Sequence, residues 1–202
     1  SGNDRGRVTT FRVAPGLEQV QQVATRGSES AEAPVVAVSF TGTSIAALGE
    51  CGTLRVMNHE LLDEKATESS VDAIGAYDMC WEFENGHIFT VGAMPNEQLK
   101  VWDPRLALNK PPAQTLANPV STAPYTAVSA NPGDPNQVAV GDEHGVVAVW
   151  DLRAGRVLDQ FERQHDGIVR RLMYHPKDHY LISGGEDGRL VLMDLGGGGG
   201  VG

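Results

Sequence analysis

The chain has 202 residues, 41% of them hydrophobic, which is enough apolar material for one large core or two small ones. Its 16 Lys and Arg residues are outnumbered by 26 Asp and Glu residues, for a formal net charge of −10. Because clustered positive charge drives binding to phosphates, this balance argues against a nucleic-acid surface or an anionic-membrane surface. No apolar run approaches the ~20 residues that span a bilayer.

A turn followed by a strand recurs five times along the chain. A glycine, a short polar turn and often a second glycine precede an alternating strand, at residues 2–11, 49–57, 98–103, 141–151 and 185–194. One large residue near the end of each strand marks the phase: Phe11, Met57, Trp102, Trp150 and Met193. Their spacings of 46, 45, 48 and 43 residues are typical of a propeller with one blade per repeat.

Each interval contains further strand-like runs, rich in Val, Ile and aromatic residues and bounded by turn residues. In chain order we predict paired strands at 35–40 with 44–48, 77–83 with 87–91, 125–130 with 137–140, and 168–174 with 180–183. A more polar outer strand precedes each pair, at 18–24, 61–66, 113–117 and 156–161. Helix-like stretches at 18–25 and 61–69 are short and fall at the outer-strand position, so the prediction is an all-β fold.

The strand ends carry a family resemblance. Val101-Trp102-Asp103-Pro104-Arg105 and Val149-Trp150-Asp151-Leu152-Arg153 resemble the closing signature of WD repeats, and Val191-Leu192-Met193-Asp194 resembles a degenerate copy. The resemblance covers residues 2–195 and implies a WD-repeat β-propeller with four to five of seven blades present. We expect residues 1–195 to form this partial propeller and the Gly-rich residues 196–202 to form a flexible tail or loop. Because seven blades need about 300 residues, we expect a longer protein, or blades supplied by a partner.

The resemblance also implies an internal hydrogen-bonded group of His, Ser or Thr, Asp and Trp. The structural network it predicts here consists of His165, Ser183, Asp187, Trp102 and Trp150. Met193 stands where the last unit would have Trp, and His144 occupies the Asp position in the turn before Trp150. We therefore expect an incomplete network.

Residues 98–194 are similar to the WD-repeat nucleoporins of the Y-shaped complex in the nuclear pore outer rings. The similarity rests on the order of the two Trp-Asp segments, Asn131-Pro132, His165-Asp166, Tyr174-His175-Pro176 and Gly185-Glu186-Asp187-Gly188, and it fades before residue 75. It implies a structural subunit at the nuclear envelope that docks on larger helical scaffold subunits, without direct nucleic-acid binding or membrane insertion. The alternative location is the nucleus or cytoplasm at large.

The segment Trp-Asp-x-Arg occurs twice and ends in Arg105 and Arg153. In some WD-repeat proteins this form accompanies docking to the adaptor of a cullin–RING ubiquitin ligase, which makes both arginines candidate partner-binding residues. The alternative function is therefore a substrate receptor for such a ligase. The simpler interpretation is that each arginine pairs with a local carboxylate.

No pattern in the sequence predicts a catalytic, cofactor or metal site. A phosphate-binding GxxxxGK loop and a GxSxG elbow are missing, and no nucleophile accompanies His165-Asp166. The cluster of His175, Asp178 and His179 is better explained as a solvated turn, because structural zinc usually takes four ligands.

Two further pairs of residues invite a chemical interpretation. Glu82 and Glu84, two residues apart, are expected to share the solvent-facing side of a strand. Cys51 and Cys80 lack the spacing of a zinc site and are too few for a disulfide framework, so we predict reduced, partly buried thiols in an intracellular protein.

Overall fold

Short antiparallel strands form all the regular secondary structure of the described residues. The computed structural model describes residues 7–13, 20–26, 33–41, 44–58, 67–106 and 110–196. Within these ranges the backbone forms five sheets of two to four strands and no helix, which confirms the all-β prediction. No helix in the described ranges is long and apolar enough to cross a membrane.

The strands follow each other through the sheets in sequence order. The first sheet pairs β1 (Val8–Val13) with β2 (Val20–Arg26). The second contains β3 (Val35–Thr41), β4 (Ser44–Gly49), β5 (Thr53–Asn58) and β6 (Thr67–Ser70). The third contains β7 (Ala76–Trp81), β8 (Ile88–Gly92), β9 (Leu99–Trp102) and β10 (Gln114–Leu116). The fourth contains β11 (Tyr125–Ala130), β12 (Gln137–Asp142), β13 (Val147–Asp151) and β14 (Arg156–Phe161). The fifth contains β15 (Val169–Tyr174), β16 (Tyr180–Gly185) and β17 (Leu190–Asp194).

The predicted strands at 125–130 and 156–161 coincide with β11 and β14. The predicted outer strand at 61–66 and most of the Gly-rich tail at 196–202 lie outside the described residues.

One predicted strand, at 77–83, extends two residues too far, because β7 ends at Trp81 and Glu82 begins a turn. The Glu82 carboxylate accepts hydrogen bonds from the backbone amides of Glu84 and Asn85. The expectation that Glu82 and Glu84 share an exposed strand face is therefore wrong, since Glu82 is buried as the cap of this turn.

The first strand of each larger sheet contacts the first strand of the next, in the order β3, β7, β11 and β15. The second, third and fourth sheets extend away from this inner row to a fourth, more polar outer strand, as consecutive propeller blades do. The outer strand pairs with the strand before it in sequence, so β14 completes the fourth sheet. A sequence repeat that starts with the outer strand therefore spans two sheets.

The hydrophobic core lies between successive sheets. Phe89, Val101 and Trp150 belong to the cluster between the third and fourth sheets. Three further clusters fill the spaces between the first and second, second and third, and fourth and fifth sheets. The phase markers Met57, Trp102, Trp150 and Met193 are all buried and occupy the same register position in their sheets. A fully buried large side chain contributes about 1.5–3 kcal/mol, which explains why the repeat keeps a bulky residue at this position.

Candidate protein-interaction surface and its supporting network

The fifth sheet brings together three of the predicted network residues. The His165 ring lies with Nε2 2.7 Å from the Ser183 hydroxyl and Nδ1 3.0 Å from an Asp187 carboxylate oxygen. Both His165 and Ser183 are buried. Burial alone would raise the pKa of Asp187, but hydrogen bonds from the Arg189 and Asp166 amides and the His165 ring hold it well below its usual range. The group ties the turn after β16 to the loop before β15.

The two tryptophans of the predicted network lie in other sheets. The Trp102 indole donates to the Thr90 hydroxyl at 2.9 Å, across β8 and β9. Thr90 occupies the position in the third sheet that Ser183 occupies in the fifth. The Trp150 indole instead donates to the Tyr125 hydroxyl at 3.3 Å. The network is therefore divided among three sheets, and Trp102, Trp150 and His165 each bond to a hydroxyl of a different residue type.

Asp72 occupies in the third sheet the position that His165 occupies in the fifth, and sequence reasoning missed it. It lies four residues before β7, as His165 lies four residues before β15. Its carboxylate accepts hydrogen bonds from the backbone amides of Ile74 at 2.9 Å and Gly75 at 3.0 Å. A Cβ at Gly92 would overlap that carboxylate, so this glycine makes room for the acidic side chain. The offset of four residues before the inner strand, which Asp72 shares with His165, was the signal available in the sequence.

In the fourth sheet the acidic residue lies on the second strand, and a small residue lies before the inner strand. Ser121 stands four residues before β11, and Asp142 replaces the glycine found at Gly92 and Gly185. The Asp142 carboxylate accepts hydrogen bonds from the backbone amides of His144 at 2.8 Å and Val146 at 2.9 Å. The turn position assigned from the sequence to His144 is thus capped by Asp142.

The two candidate partner-binding arginines differ in their surroundings. The Arg105 guanidinium makes two hydrogen bonds of 2.8 Å to the Asp103 carboxylate, and this pairing lowers the pKa of Asp103. Arg153 is exposed, and its guanidinium makes no hydrogen bond or ion pair with the rest of the described chain. Arg105 is therefore held by its own turn, whereas Arg153 is available to another molecule.

One ion pair crosses three inner strands. Arg171 of β15 donates to Asp78 of β7 at 2.6 Å, and the second Asp78 oxygen accepts from the Val128 amide of β11 at 3.2 Å. Asp78 is buried, while the Arg171 side chain is 66% exposed. Burial raises the pKa of Asp78, and the Arg171 charge opposes that rise. This contact holds three neighbouring blades in register around the central axis.

Two pockets open at opposite ends of the inner strands. One lies where the strands begin and is lined by Tyr77, Thr126, Ile168, Arg170 and Arg171, with Glu143 also present. The other lies where the strands end, has a volume of about 560 Å³, and includes Phe83, Pro132, Met173 and Pro176. We call the second one the strand-end pocket. The first carries two arginines, whereas the strand-end pocket carries Glu82 and Glu84 and no Lys or Arg among its described lining residues.

The other titratable groups show ordinary structural roles. His175 Nδ1 accepts hydrogen bonds from the Lys177 and Asp178 amides, so its ring caps a turn. No group of three or more His, Cys, Asp or Glu side chains suited to a metal ion is found across the described ranges. Cys51 is exposed and Cys80 half-buried, each with a free thiol, and burial raises the pKa of Cys80.

Comparison with known proteins places these features in a family context. Residues 155–194 match the family model for the WD domain, G-beta repeat, and this range includes β14 to β17. The chain is 26% identical to nucleoporin Nup43 of Homo sapiens over 170 residues, covering 83% of this chain and 44% of the human protein. It is 24% identical to Nup43 of Mus musculus over 163 residues, covering 80% of this chain and 42% of the mouse protein.

The extent of the match corrects one expectation. An alignment covering 83% of the chain must extend well before residue 75, where the resemblance to WD-repeat nucleoporins was expected to fade. The N-terminal repeats carry Phe11 and Met57 where two later repeats carry Trp, but they keep a similar spacing. The chain spans less than half the length of both nucleoporins.

Solved structures share the architecture at low sequence identity. A chain in the crystal structure of the mitotic checkpoint complex superposes with a TM-score of 0.74 at 17% identity, over 95% of this chain and 55% of that one. This similarity supports the fold alone. Together, the repeat match at residues 155–194, the sheet order and the superposition show a β-propeller fold of the WD-repeat type, and the sequence is similar to nucleoporin Nup43.

Proposed function

We propose that this chain is a non-catalytic scaffold subunit of the nuclear pore outer ring, within the Y-shaped complex. The observation that carries the proposal is the similarity to Nup43 over 83% of the chain, since the shared propeller fold alone names no function. The acidic net charge of −10 also favours protein partners over nucleic acid or anionic lipid. Its partners would be helical scaffold subunits, and its location the nuclear envelope.

The titratable groups support a structural role. The His165 ring bonds to Asp187 through Nδ1 and to Ser183 through Nε2, so these polar atoms are used by the fold. Asp72, Asp142 and Glu82 are likewise engaged with backbone amides of turns. Catalytic acids and bases need free polar atoms at a cleft, and these groups do not offer them.

Localisation tests the proposal directly. The gene is tagged with a fluorescent protein at its own locus, and the living cell is imaged together with a marker of the nuclear rim. A scaffold subunit gives a punctate rim that persists after brief detergent permeabilisation. A diffuse cytosolic signal with no rim would contradict the proposal.

One observation favours the alternative function, a substrate receptor for a cullin–RING ligase. The Arg153 guanidinium is exposed and unpaired within the described residues, as an adaptor-binding arginine should be. Under this alternative, Arg153→Ala should abolish retention of the ligase adaptor, and Arg105→Ala should weaken it less because Arg105 is already paired with Asp103. Unchanged adaptor binding by Arg153→Ala would remove the basis for it.

A further inference from the structure

The strand-end pocket results from small side chains at one repeated position. Ser39, Cys80, Ser129 and Met173 each lie four residues after the first paired residue of their inner strand. All four line the pocket, and three of them are small. Their size leaves a volume of about 560 Å³ between the strand ends, enough to admit one or two large side chains of another molecule.

Large apolar side chains stand exposed at this pocket. Phe83 is 81% exposed and Met173 is 60% exposed, and both line it. Pro132, Pro135 and Pro176 lie beside them and supply a rigid apolar rim. Clustered apolar surface of this kind around a concave site is typical of a binding surface, because scattered single residues would give no continuous patch.

The charge of the strand-end pocket selects the sign of what it binds. Glu84 is exposed at its edge, the buried Glu82 lies beneath, and no Lys or Arg lines the described part of the pocket. The opposite end of the same inner strands carries Arg170 and Arg171. The chain as a whole has a net charge of −10. A positively charged ligand is therefore attracted to this end, and a negatively charged one is repelled.

We propose that the strand-end pocket binds a short segment of a partner protein that places a bulky apolar side chain beside Lys or Arg. The apolar side chain enters between Phe83 and Met173, and the basic residue lies near Glu84. The inference rests on the proposed role in protein–protein interaction and adds the surface and the chemistry of the partner. Burial of a large side chain supplies most of the affinity, and the basic residue supplies orientation and a faster association rate.

Selection from a random peptide library tests this proposal. Nine-residue peptides displayed on phage are selected on the purified full chain, and selected peptides are then synthesised with a fluorophore and titrated by fluorescence anisotropy. We expect enriched sequences to combine Phe, Leu, Trp or Met with Lys or Arg within three positions. Failure to enrich any sequence class, or enrichment of acidic peptides, would overturn the proposal.

Variants at exposed positions locate the binding site without disturbing the fold. Phe83→Ser and Met173→Ser should each weaken the selected peptides about tenfold, because each removes apolar surface that the peptide covers. Tyr77→Ser is the matched control, since Tyr77 is also exposed but lines the pocket at the opposite end. A loss of affinity that is equal in all three variants would show that the peptides do not bind at the strand-end pocket.

Charge variants test the basic residue separately. Glu84→Lys should weaken binding about two- to fivefold at low salt, and Glu84→Gln should weaken it less. Glu50→Lys is the matched control, because Glu50 is exposed in the turn between β4 and β5, outside the strand-end pocket. Equal effects of Glu84→Lys and Glu50→Lys would mean that net charge alone governs binding, and the proposed orientation would be wrong.

The occupant and the scaffold function are tested independently. Sedimentation velocity should show that the purified chain is a monomer. A dimer that the Phe83→Ser change dissociates would mean that a second copy of the chain occupies the pocket, and it would overturn the proposal. The tagged protein is also imaged with the Phe83→Ser and Met173→Ser changes. Peptide binding without any nuclear rim signal would contradict the pore function and leave the pocket proposal supported. A nuclear rim signal without enrichment of any peptide class would support the pore function and contradict the pocket proposal.

Discussion

Replacing Ser183 with Ala removes one hydroxyl from the buried network of the fifth sheet. The hydroxyl lies 2.7 Å from His165 Nε2, and both residues are buried. The substitution leaves a buried ring nitrogen without its partner, and an unsatisfied buried polar group costs about 1–3 kcal/mol. Total stabilities are about 5–15 kcal/mol, so a loss of this size is easily measured. We expect Ser183→Ala to lower the free energy of unfolding by about 1–3 kcal/mol.

Urea denaturation at pH 7, followed by tryptophan fluorescence, measures this loss as a shift of the transition midpoint. Ser39→Ala is the matched control: Ser39 is half-buried in β3, and its hydroxyl makes no hydrogen bond to other described residues. The control should stay within about 0.5 kcal/mol of the wild type. Equal losses in the two variants, or a loss below about 0.5 kcal/mol for Ser183→Ala, would refute the reasoning that the network stabilises the sheet.

Three further predictions concern the same fold. Arg171→Ala should destabilise by about 1–3 kcal/mol because the buried Asp78 carboxylate loses its charged partner and keeps only the Val128 amide, whereas Asp78→Asn should cost less because the amide is neutral. Urea midpoints compare the two variants. Gly145→Ala should lower the melting temperature far more than Gly188→Ala. Both glycines have φ near +80°, but a Cβ at Gly145 would overlap a backbone carbonyl, whereas a Cβ at Gly188 would meet no other atom. Hydrogen bonds lower the pKa of Asp187 below the ordinary 3.8, so the stabilisation that the Asp187 carboxylate provides is present at neutral pH and is lost as the pH falls below about 4. The difference between the urea midpoints at pH 7 and pH 3 should therefore be smaller in Asp187→Asn than in the wild type.

Each of these predictions has a contradicting result. An Asp78→Asn loss larger than that of Arg171→Ala would show that the ion pair is net stabilising and that burial of the carboxylate is a minor cost. Equal melting temperatures for the two glycine variants would mean that backbone angle, and not overlap, sets the requirement at Gly145. An acid transition of unchanged slope in Asp187→Asn would show that other carboxylates govern acid unfolding.

The repeat period and the buried phase markers could be predicted from the sequence. Trp102, Trp150 and Met193 lie in register because a bulky residue is needed between adjacent blades, and that need leaves a periodic mark on the sequence. Strand positions such as 125–130 were also predictable, since alternating apolar residues bounded by turns indicate a strand directly.

The hydrogen-bonding substitutions could not be predicted in the same way. Asp72 and Asp142 perform one capping role from two different positions, and only the fold shows that Gly92 makes room for the Asp72 carboxylate. A motif fixed by residue type at one position misses such exchanges. His144 illustrates this, since it occupies the motif's acidic position while Asp142, two residues earlier, supplies the carboxylate.

The strand-end pocket was also beyond reach of the sequence. Ser39, Cys80 and Ser129 are small residues in separate repeats, and nothing local to any of them indicates a pocket. Their shared position becomes meaningful only after the inner strands are aligned by register. Surface properties such as the exposure of Phe83 depend on where β7 ends, which the sequence pattern placed two residues too late.

Affinity purification of the tagged native protein from its own cells tests the central claim most directly. The bound proteins are identified by mass spectrometry after washing in moderate salt. A scaffold subunit should retain the helical subunits of the Y-shaped complex in comparable amounts. Retention of a cullin adaptor without any pore subunit would contradict the scaffold function and make Arg153 the first residue to mutate.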